Sequence, residues 1–293
     1  MNSAYYEIAG LTLQVTGENA QLTELSGFRP FRVEVPSHEP IANLVLNATL
    51  EGYNFDDAEW IFASGEDGVC YEFGRHATGF CYRSTGKCDE PFLLWYDRIN
   101  GTLECNAECC EGYQPYELRF LLWVAFSLVA LPYNAVPIHT SVIMNGGKAY
   151  MFLGESGTGK STHTRLWRQH IEGSELLNDD SPYLRIENGQ AIVYGSPWSG
   201  KTPCYKPLRV PLGGVTRLSQ APYNKMRRLS KLEAMGALLP SCPPNFAYDD
   251  GLTDMICEII GAVIKSTPVF HLECLPDEAA AQLSYHNLTE RER

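Results

Sequence analysis

One stretch, residues 149–162, limits what this chain can fold into more than any other. It begins with the apolar run Ala149-Tyr150-Met151-Phe152-Leu153 and continues as Gly154-Glu155-Ser156-Gly157-Thr158-Gly159-Lys160-Ser161-Thr162. The apolar run predicts a buried strand, and a helical pattern begins near Lys160. The pattern G-x-x-x-x-G-K-[ST] forms a phosphate-binding loop when it lies between a strand and a helix, and that order is predicted here.

Each residue type in this pattern suits the binding of a polyphosphate. Glycines let the backbone curl so that several N–H groups point at one anion, and the helix that follows adds its positive N-terminal dipole. Lys160 would reach the β- and γ-phosphates, and the Ser161 hydroxyl suits Mg²⁺, which prefers oxygen ligands. We therefore predict that residues 154–162 bind the phosphates of ATP together with Mg²⁺. An ordinary glycine-rich turn is the alternative interpretation.

Composition and charge narrow the class of protein. The chain has 293 residues, of which 44% are apolar and 20% charged, so it has the composition of a soluble globular protein with room for two domains. Its net charge of −12 argues against nonspecific binding to nucleic acid or to an anionic membrane. No secretory signal is visible at the N-terminus, and the most apolar stretch, residues 120–131, predicts a buried helix. We therefore expect a cytoplasmic protein whose ten cysteines are thiols.

The first 112 residues have a β-rich pattern. Short apolar runs with a period of two, such as Leu11–Val15 and Phe31–Val35, predict half-buried strands. Gly112 and Pro115 precede a predicted helix at residues 116–131, and we place a domain boundary there. The predicted organisation is a smaller β-rich N-terminal domain at residues 1–112 and a nucleotide-binding domain at residues 113–293.

The residues on either side of the glycine-rich turn add two further features. Residues 138–144 predict a strand, and Asn145-Gly146 predicts a two-residue hairpin turn that would pair this strand antiparallel with residues 149–153. Residues 174–178 predict a short strand that ends in Asp179-Asp180, about twenty residues after Lys160. Nucleotide enzymes place acids that hold Mg²⁺ or a nucleophile at such positions. A helix cap or a turn is the alternative interpretation of the acid pair.

His139, the hairpin, the turn at residues 154–162 and the Asp179-Asp180 pair together resemble the HPr kinase/phosphorylase family. That family shares its nucleotide-binding core with phosphoenolpyruvate carboxykinases. The resemblance implies an α/β fold of the α+β kind, with a mixed sheet and a P-loop kinase core. It also implies Asp180 as the general base, His139 as the active-site histidine, Lys160 as a phosphate contact, and Ser161 and Asp179 as Mg²⁺ ligands. A structural histidine at a strand start is the alternative for His139.

Three departures from the family pattern bear on the substrate. His163 replaces an acid, residues 192–195 contain no glutamate, and the C-terminal substrate-loop signature is missing. The chain therefore looks more like the HPr-kinase-related group, whose substrates are diverse.

The leading hypothesis is an ATP-dependent kinase that phosphorylates a hydroxyl, either a serine of a protein or peptide or a hydroxyl of a small molecule. A carboxykinase-type lyase and a nucleotide-binding regulator without turnover are the alternatives. We expect no nucleic-acid or membrane partner, and a homo-oligomer is a further expectation.

Overall fold

The computed structural model describes residues 2–23, 25–66, 69–86, 91–107, 115–200 and 202–289. These residues form a mixed α/β fold with two large mixed sheets and few helices. The chain divides into two compact units, Met1–Pro132 with Asn245–Thr253, and Tyr133–Pro244 with Asp254–Arg293. The boundary predicted near residue 112 falls outside the described residues and stays a prediction, and the compact units separate after Pro132.

The first unit is built on a sheet whose nine described strands run in the order β3-β1-β2-β4-β9-β8-β7-β6-β5. The strands are β1 (Asn2–Ile8), β2 (Leu11–Gly17), β3 (Arg32–Val33), β4 (Ala42–Val45), β5 (Glu59–Glu66), β6 (Val69–His76), β7 (Gly79–Thr85), β8 (Phe92–Asp97) and β9 (Thr102–Cys105). The prediction of a strand at Leu11–Val15 is confirmed by β2. The strand predicted at Phe31–Val35 shrinks to two residues because Phe31 ends a turn of 3₁₀ helix.

Helix α1 (Pro115–Ala130) is the most apolar helix of the first unit. Among the described residues, one 18-residue segment, Tyr116–Tyr133, is long and apolar enough to cross a membrane by length and composition, and 67% of it is buried. The helix predicted at residues 116–131 and the buried helix predicted for the apolar stretch 120–131 are thereby confirmed, with the helix ending at Ala130. Burial of its side chains accounts for its apolar composition.

The second unit carries the glycine-rich turn on the central strands of its sheet. Its strands are β10 (Ala135–Pro137), β11 (Thr140–Asn145), β12 (Lys148–Leu153), β13 (Glu175–Asp180), β14 (Tyr183–Glu187), β15 (Gln190–Tyr194), β16 (Arg209–Gln220), β17 (Lys225–Arg228) and β18 (Val269–Cys274). The sheet order is β10-β14-β15-β16-β12-β11-β13, and β18 pairs with both β16 and β17. The β12–β16 and β16–β18 pairs are parallel, so these three strands end at the same edge of the sheet.

The predicted hairpin between residues 138–144 and 149–153 is confirmed, with one correction to its turn. Residue Asn145 pairs with Lys148, so the two turn residues are Gly146 and Gly147 rather than Asn145 and Gly146. Both glycines have positive φ angles, 56° and 77°, which a tight turn of this kind requires at both central positions. The Asn145 side chain instead donates a 2.9 Å hydrogen bond to the carbonyl of Glu172.

Four α-helices accompany the second sheet. They are α2 (Lys160–His170), α3 (Lys231–Leu238), α4 (Asp250–Ser266, whose first residues belong to the first unit) and α5 (Glu278–Thr289). Helical patterns in the sequence also predict helices near residues 160–172, 229–239 and 252–265. These predictions are confirmed by α2, α3 and α4 with shifted ends, whereas α5 was not predicted. A buried core joins the sheet to α2 and α5 through Phe152, Trp167, Leu218, Leu272 and Ala281.

Candidate functional site

The glycine-rich turn connects the end of β12 at Leu153 to the start of α2 at Lys160. Gly157 and Gly159 have φ angles of 80° and 109°, and among the described residues an added Cβ at either position would meet no atom within 4 Å. Backbone conformation rather than lack of space therefore requires glycine at both positions. At Gly154, by contrast, a Cβ would also approach the Thr158 side chain at 3.0 Å.

Helix α2 presents its N-terminus at this turn. Its N-cap is Gly159, which has no side chain to accept from the first backbone N–H groups, and its first turn contains no acidic residue. The Thr164 hydroxyl donates a 3.1 Å hydrogen bond to the Ser161 carbonyl and receives one of 3.0 Å from the Ser141 hydroxyl of β11. The first turn of α2 is thus fixed to the sheet, and the positive end of its helix dipole lies at the glycine-rich turn.

The Lys160 ammonium has an acceptor for each of its three hydrogens. Nζ lies 2.8 Å from the Gly154 carbonyl, 3.2 Å from the Glu155 carbonyl and 2.9 Å from His139 Nε2. Burial lowers the pKa of Lys160, and the nearby charges of Asp180 and Asp179 act in the opposite direction. A phosphate that binds here would replace some of these contacts with charge-assisted hydrogen bonds.

His139 joins the lysine to the acid pair. Sequence analysis placed it in a strand from residue 138, but β11 begins at Thr140, and the His139 backbone N–H donates to the Ser241 carbonyl at 2.7 Å instead. Its Nδ1 lies 3.5 Å from Asp180 Oδ1. Burial and the Lys160 charge lower the pKa of His139, and Asp180 and Asp179 oppose this shift. Because an ammonium has no lone pair, Nε2 accepts from Lys160 and the imidazole is neutral.

The two acids are the last residues of β13, and they lie in different surroundings. Asp179 pairs with Ser141 and Asp180 with Thr140 on β11. Asp179 is 5% exposed, and its Oδ1 accepts a 2.9 Å hydrogen bond from the Ser161 hydroxyl. The Asp180 side chain, in contrast, is 41% exposed. One carboxylate is therefore held against the first turn of α2, and the other is accessible from solvent beside His139.

The polar loop after β15 lies against the backbone of the acids. The Gly200 N–H donates to the Asp179 carbonyl at 2.6 Å, and a Cβ at Gly200 would approach that oxygen to 2.8 Å, so only glycine fits. The glycine, serine and lysine residues of this loop, residues 195–201, predict a contact with phosphate or substrate, with a solvated turn as the alternative, and this stays a prediction. Lys201 lies outside the described residues.

Sequence analysis missed Asn178, which holds this loop in place. It is completely buried, its amide donates to the Trp198 carbonyl at 2.9 Å, and its Oδ1 accepts from the Ser181 N–H at 3.0 Å. An asparagine inside an otherwise apolar strand, directly before the acids, was the signal that would have found it, because a buried amide needs partners.

Two further residues reach the turn from the end of β16. Gln220 Nε2 donates to the Gly157 carbonyl at 3.2 Å, and Arg217 Nη2 lies 3.9 Å from Glu155 Oε1. They lie there because β16 pairs in parallel with β12, with Arg217 opposite Leu153. No local pattern encodes this pairing. In the sequence, Arg165 and Arg168 follow Lys160 and predict a local basic site, and both are exposed on α2.

His163, which stands where the resembled family has an acid, is a buried structural residue here. It is 3% exposed, and its Nε2 lies 2.9 Å from the hydroxyl of Ser284 on α5, which also receives the Trp167 indole N–H at 2.8 Å. Burial lowers the pKa of His163 to about 4. His163 is therefore neutral at pH 7 and links α2 to α5.

No three His, Cys, Asp or Glu side chains among the described residues converge in a way that would hold a metal ion. The cysteines among them, Cys70, Cys81, Cys105, Cys204, Cys242, Cys257 and Cys274, are thiols. Cys88, Cys109 and Cys110 lie outside the described residues.

The chain has a weak structural likeness to a known protein. No protein-family model and no curated protein sequence matches the chain. Among solved structures, the chain is similar to the Hpr(Ser) kinase/phosphatase from Coxiella burnetii, with 12% sequence identity and a TM-score of 0.32 over 54% of this chain and 99% of that chain. A likeness at this level carries no argument about function. The function is therefore inferred from the geometry of the site.

Proposed function

We propose that the chain is an ATP-dependent kinase that transfers the γ-phosphoryl group to a hydroxyl. One observation carries the proposal: Lys160 contacts His139, His139 lies beside Asp180, and Ser161 bonds to Asp179. These five side chains come from three separate segments of the chain. Their convergence at a curled glycine turn and a helix N-terminus supplies the cation, the acids and the amide groups that phosphoryl transfer needs.

The residues present fit a magnesium ion. Mg²⁺ binds oxygen ligands at about 2.0–2.1 Å in an octahedron, so that two adjacent ligands lie about 2.9 Å apart. The Ser161 and Asp179 oxygens are 2.9 Å apart. We propose that these two oxygens hold Mg²⁺, which when bound would neutralise charge on the phosphates.

The remaining groups have separate tasks in the proposed reaction. The backbone of residues 154–159 and the Lys160 ammonium would bind the phosphates and stabilise charge on the transferring group. Asp180, the more accessible acid, would accept the proton of the attacking hydroxyl. The neutral His139 would keep the Lys160 ammonium and the Asp180 carboxylate in their relative positions.

The exposure of Asp180 bears on the size of the acceptor. We propose a hydroxyl acceptor on a protein, a peptide or a small molecule, in a cytoplasmic setting, with no nucleic-acid or membrane partner. Because the Asp180 side chain is 41% exposed, an acceptor as large as a protein loop could reach it.

Labelled ATP tests the proposal directly. The purified chain is incubated with γ-labelled ATP and Mg²⁺, alone and with host-cell extract, and the label is followed. Replacement Asp180→Asn should abolish transfer and leave ATP affinity within about twofold, because the base is lost but the phosphate contacts are kept. Asp254→Asn, an exposed position on α4, is the matched control and should transfer normally. Unchanged transfer by Asp180→Asn would remove Asp180 from the role of base.

The same incubation distinguishes the alternatives. Nucleotide consumption that depends on oxaloacetate would identify a carboxykinase-type lyase. Tight ATP binding without turnover in any extract would identify a nucleotide-binding regulator.

A further inference from the structure

A second feature of the turn is a cleft of about 600 Å³ on its side facing β16 and β18. Binding sites for small molecules typically measure about 300–1,000 Å³. The turn contributes Gly157, Thr158 and Gly159 to its lining, and the start of α2 contributes Thr162, His163 and Leu166. The opposite wall consists of Leu218, Gln220, Ala221, Cys274, Leu275 and Pro276.

The sheet order places this cleft and the acids on opposite sides of the strand that leads into the turn. The strands run β13-β11-β12-β16, with β18 next to β16, and the acids end β13. The cleft walls come from the ends of β16 and β18 and from the segments just after them. A chain of phosphates across the turn would therefore have one end towards the acids and the other towards the cleft.

The chemistry of the cleft suits a flat, largely apolar group. Gln220 of β16 lies opposite Cys274 of β18. This pair follows the buried Leu218–Leu272 pair by two residues and therefore lies on the same face of the sheet. The cleft floor thus extends the apolar core towards solvent. The described residues that line the cleft include no Asp, Glu, Lys or Arg. The one histidine among them, His163, is hydrogen-bonded to the Ser284 hydroxyl. A charged group would lose hydration here without gaining a partner, whereas an aromatic ring would gain apolar contact.

We propose that this cleft binds the base and ribose of the nucleotide whose phosphates occupy residues 154–162. The proposal rests on the proposed function and extends it, because it fixes the direction of the nucleotide. The nucleoside lies between α2 and the ends of β16 and β18, and the terminal phosphate lies towards Asp180. Gln220, which bonds to the Gly157 carbonyl, links the nucleoside wall to the phosphate turn.

Cys274 is a reporter inside the cleft for testing this proposal on the unmodified protein. Its thiol is alkylated with iodoacetamide, and the rate is followed by peptide mass spectrometry. Burial raises its pKa to about 11, so the reaction is slow and rates with and without ligand are compared. Exposed Cys70, in the first unit, is the internal control. We expect saturating ATP with Mg²⁺ to slow alkylation of Cys274 at least about fivefold, and tripolyphosphate to slow it less than about twofold. Cys70 should be unaffected by either.

A substitution that fills the cleft tests the proposal independently through ATP affinity. Cys274→Phe should weaken ATP binding at least about tenfold and leave tripolyphosphate binding within about twofold, because only the nucleoside needs the cleft. Cys70→Phe is the matched control and should bind both ligands as the unmodified protein does. If Cys274→Phe does not fold, the alkylation experiment decides alone.

The outcomes separate this inference from the proposed function. If ATP and tripolyphosphate both bind but ATP leaves the Cys274 rate unchanged, the cleft is not the nucleoside site and the phosphate site stands. Equal protection by ATP and by tripolyphosphate also overturns the inference, since the phosphates alone would then cause the effect. If neither ligand binds, the proposed function fails, and the inference fails with it.

Discussion

The buried histidine of α2 gives the sharpest prediction for stability. His163 has an ordinary pKa of 6.5 when unfolded and a pKa of about 4 in the native protein, and burial is the cause. Between these values the unfolded chain binds a proton that the native chain does not. The free energy of unfolding should therefore fall as the pH drops from 6.5 to 4. One pKa unit corresponds to about 1.4 kcal/mol, so the loss from this one group approaches about 3 kcal/mol.

The replacement His163→Gln isolates this contribution. Glutamine does not titrate, and its amide still donates to the Ser284 hydroxyl, so the α2–α5 link is kept. Urea unfolding from pH 7.5 to 4 should show a decrease in stability about 3 kcal/mol smaller in the variant than in the unmodified protein. Burial also lowers the pKa of His76, His139 and His271, but these groups are present in both proteins and cancel. Identical pH dependence of the two proteins would refute the reasoning.

Three further substitutions test other parts of the second unit. Gly157→Ala, at a φ of 80°, should cost about 1–2 kcal/mol and weaken ATP binding about tenfold, whereas Gly101→Ala, at a φ of 67° in the first unit, should carry a similar strain without changing binding. Equal ATP affinity of both variants in titration calorimetry would contradict this. Asn178→Ala should lower the free energy of unfolding by about 2–4 kcal/mol, because the Ser181 N–H loses its acceptor and the Trp198 carbonyl loses one of its donors. A loss below about 1 kcal/mol in urea would mean that the loop does not depend on it. Ser284→Ala should cost about 2–4 kcal/mol, since the Trp167 indole loses its acceptor, against less than about 0.5 kcal/mol for the exposed Ser266→Ala. Equal unfolding midpoints for the two serine variants would be inconsistent with this account.

Local patterns predicted the elements around the site well. The strand before the turn, the helix after it, the hairpin and the strand ending in Asp179-Asp180 are all present. Each depends on residues close in sequence, where apolar periodicity and glycine conformation act directly. The turn of the hairpin shifted by one residue because two adjacent glycines, Gly146 and Gly147, satisfy the required angles better than an asparagine followed by a glycine.

The roles of single histidines were not readable in the same way. Burial lowers the pKa of both His139 and His163. Only the contacts distinguish them. His139 lies between Lys160 and Asp180, while His163 bonds to a serine on a helix that begins more than a hundred residues later.

The sequence by itself determined the glycine turn, its lysine and the two acids, because their spacing restricts the backbone and the chemistry locally. The tertiary structure decided which of them meet. Strand pairing between β11 and β13 brings the acids to the first turn of α2, and parallel pairing of β12 with β16, and of β16 with β18, forms the cleft. Strand order depends on the packing of a whole sheet against its helices. That packing sums many weak, nonlocal contacts, and no short segment of sequence records it.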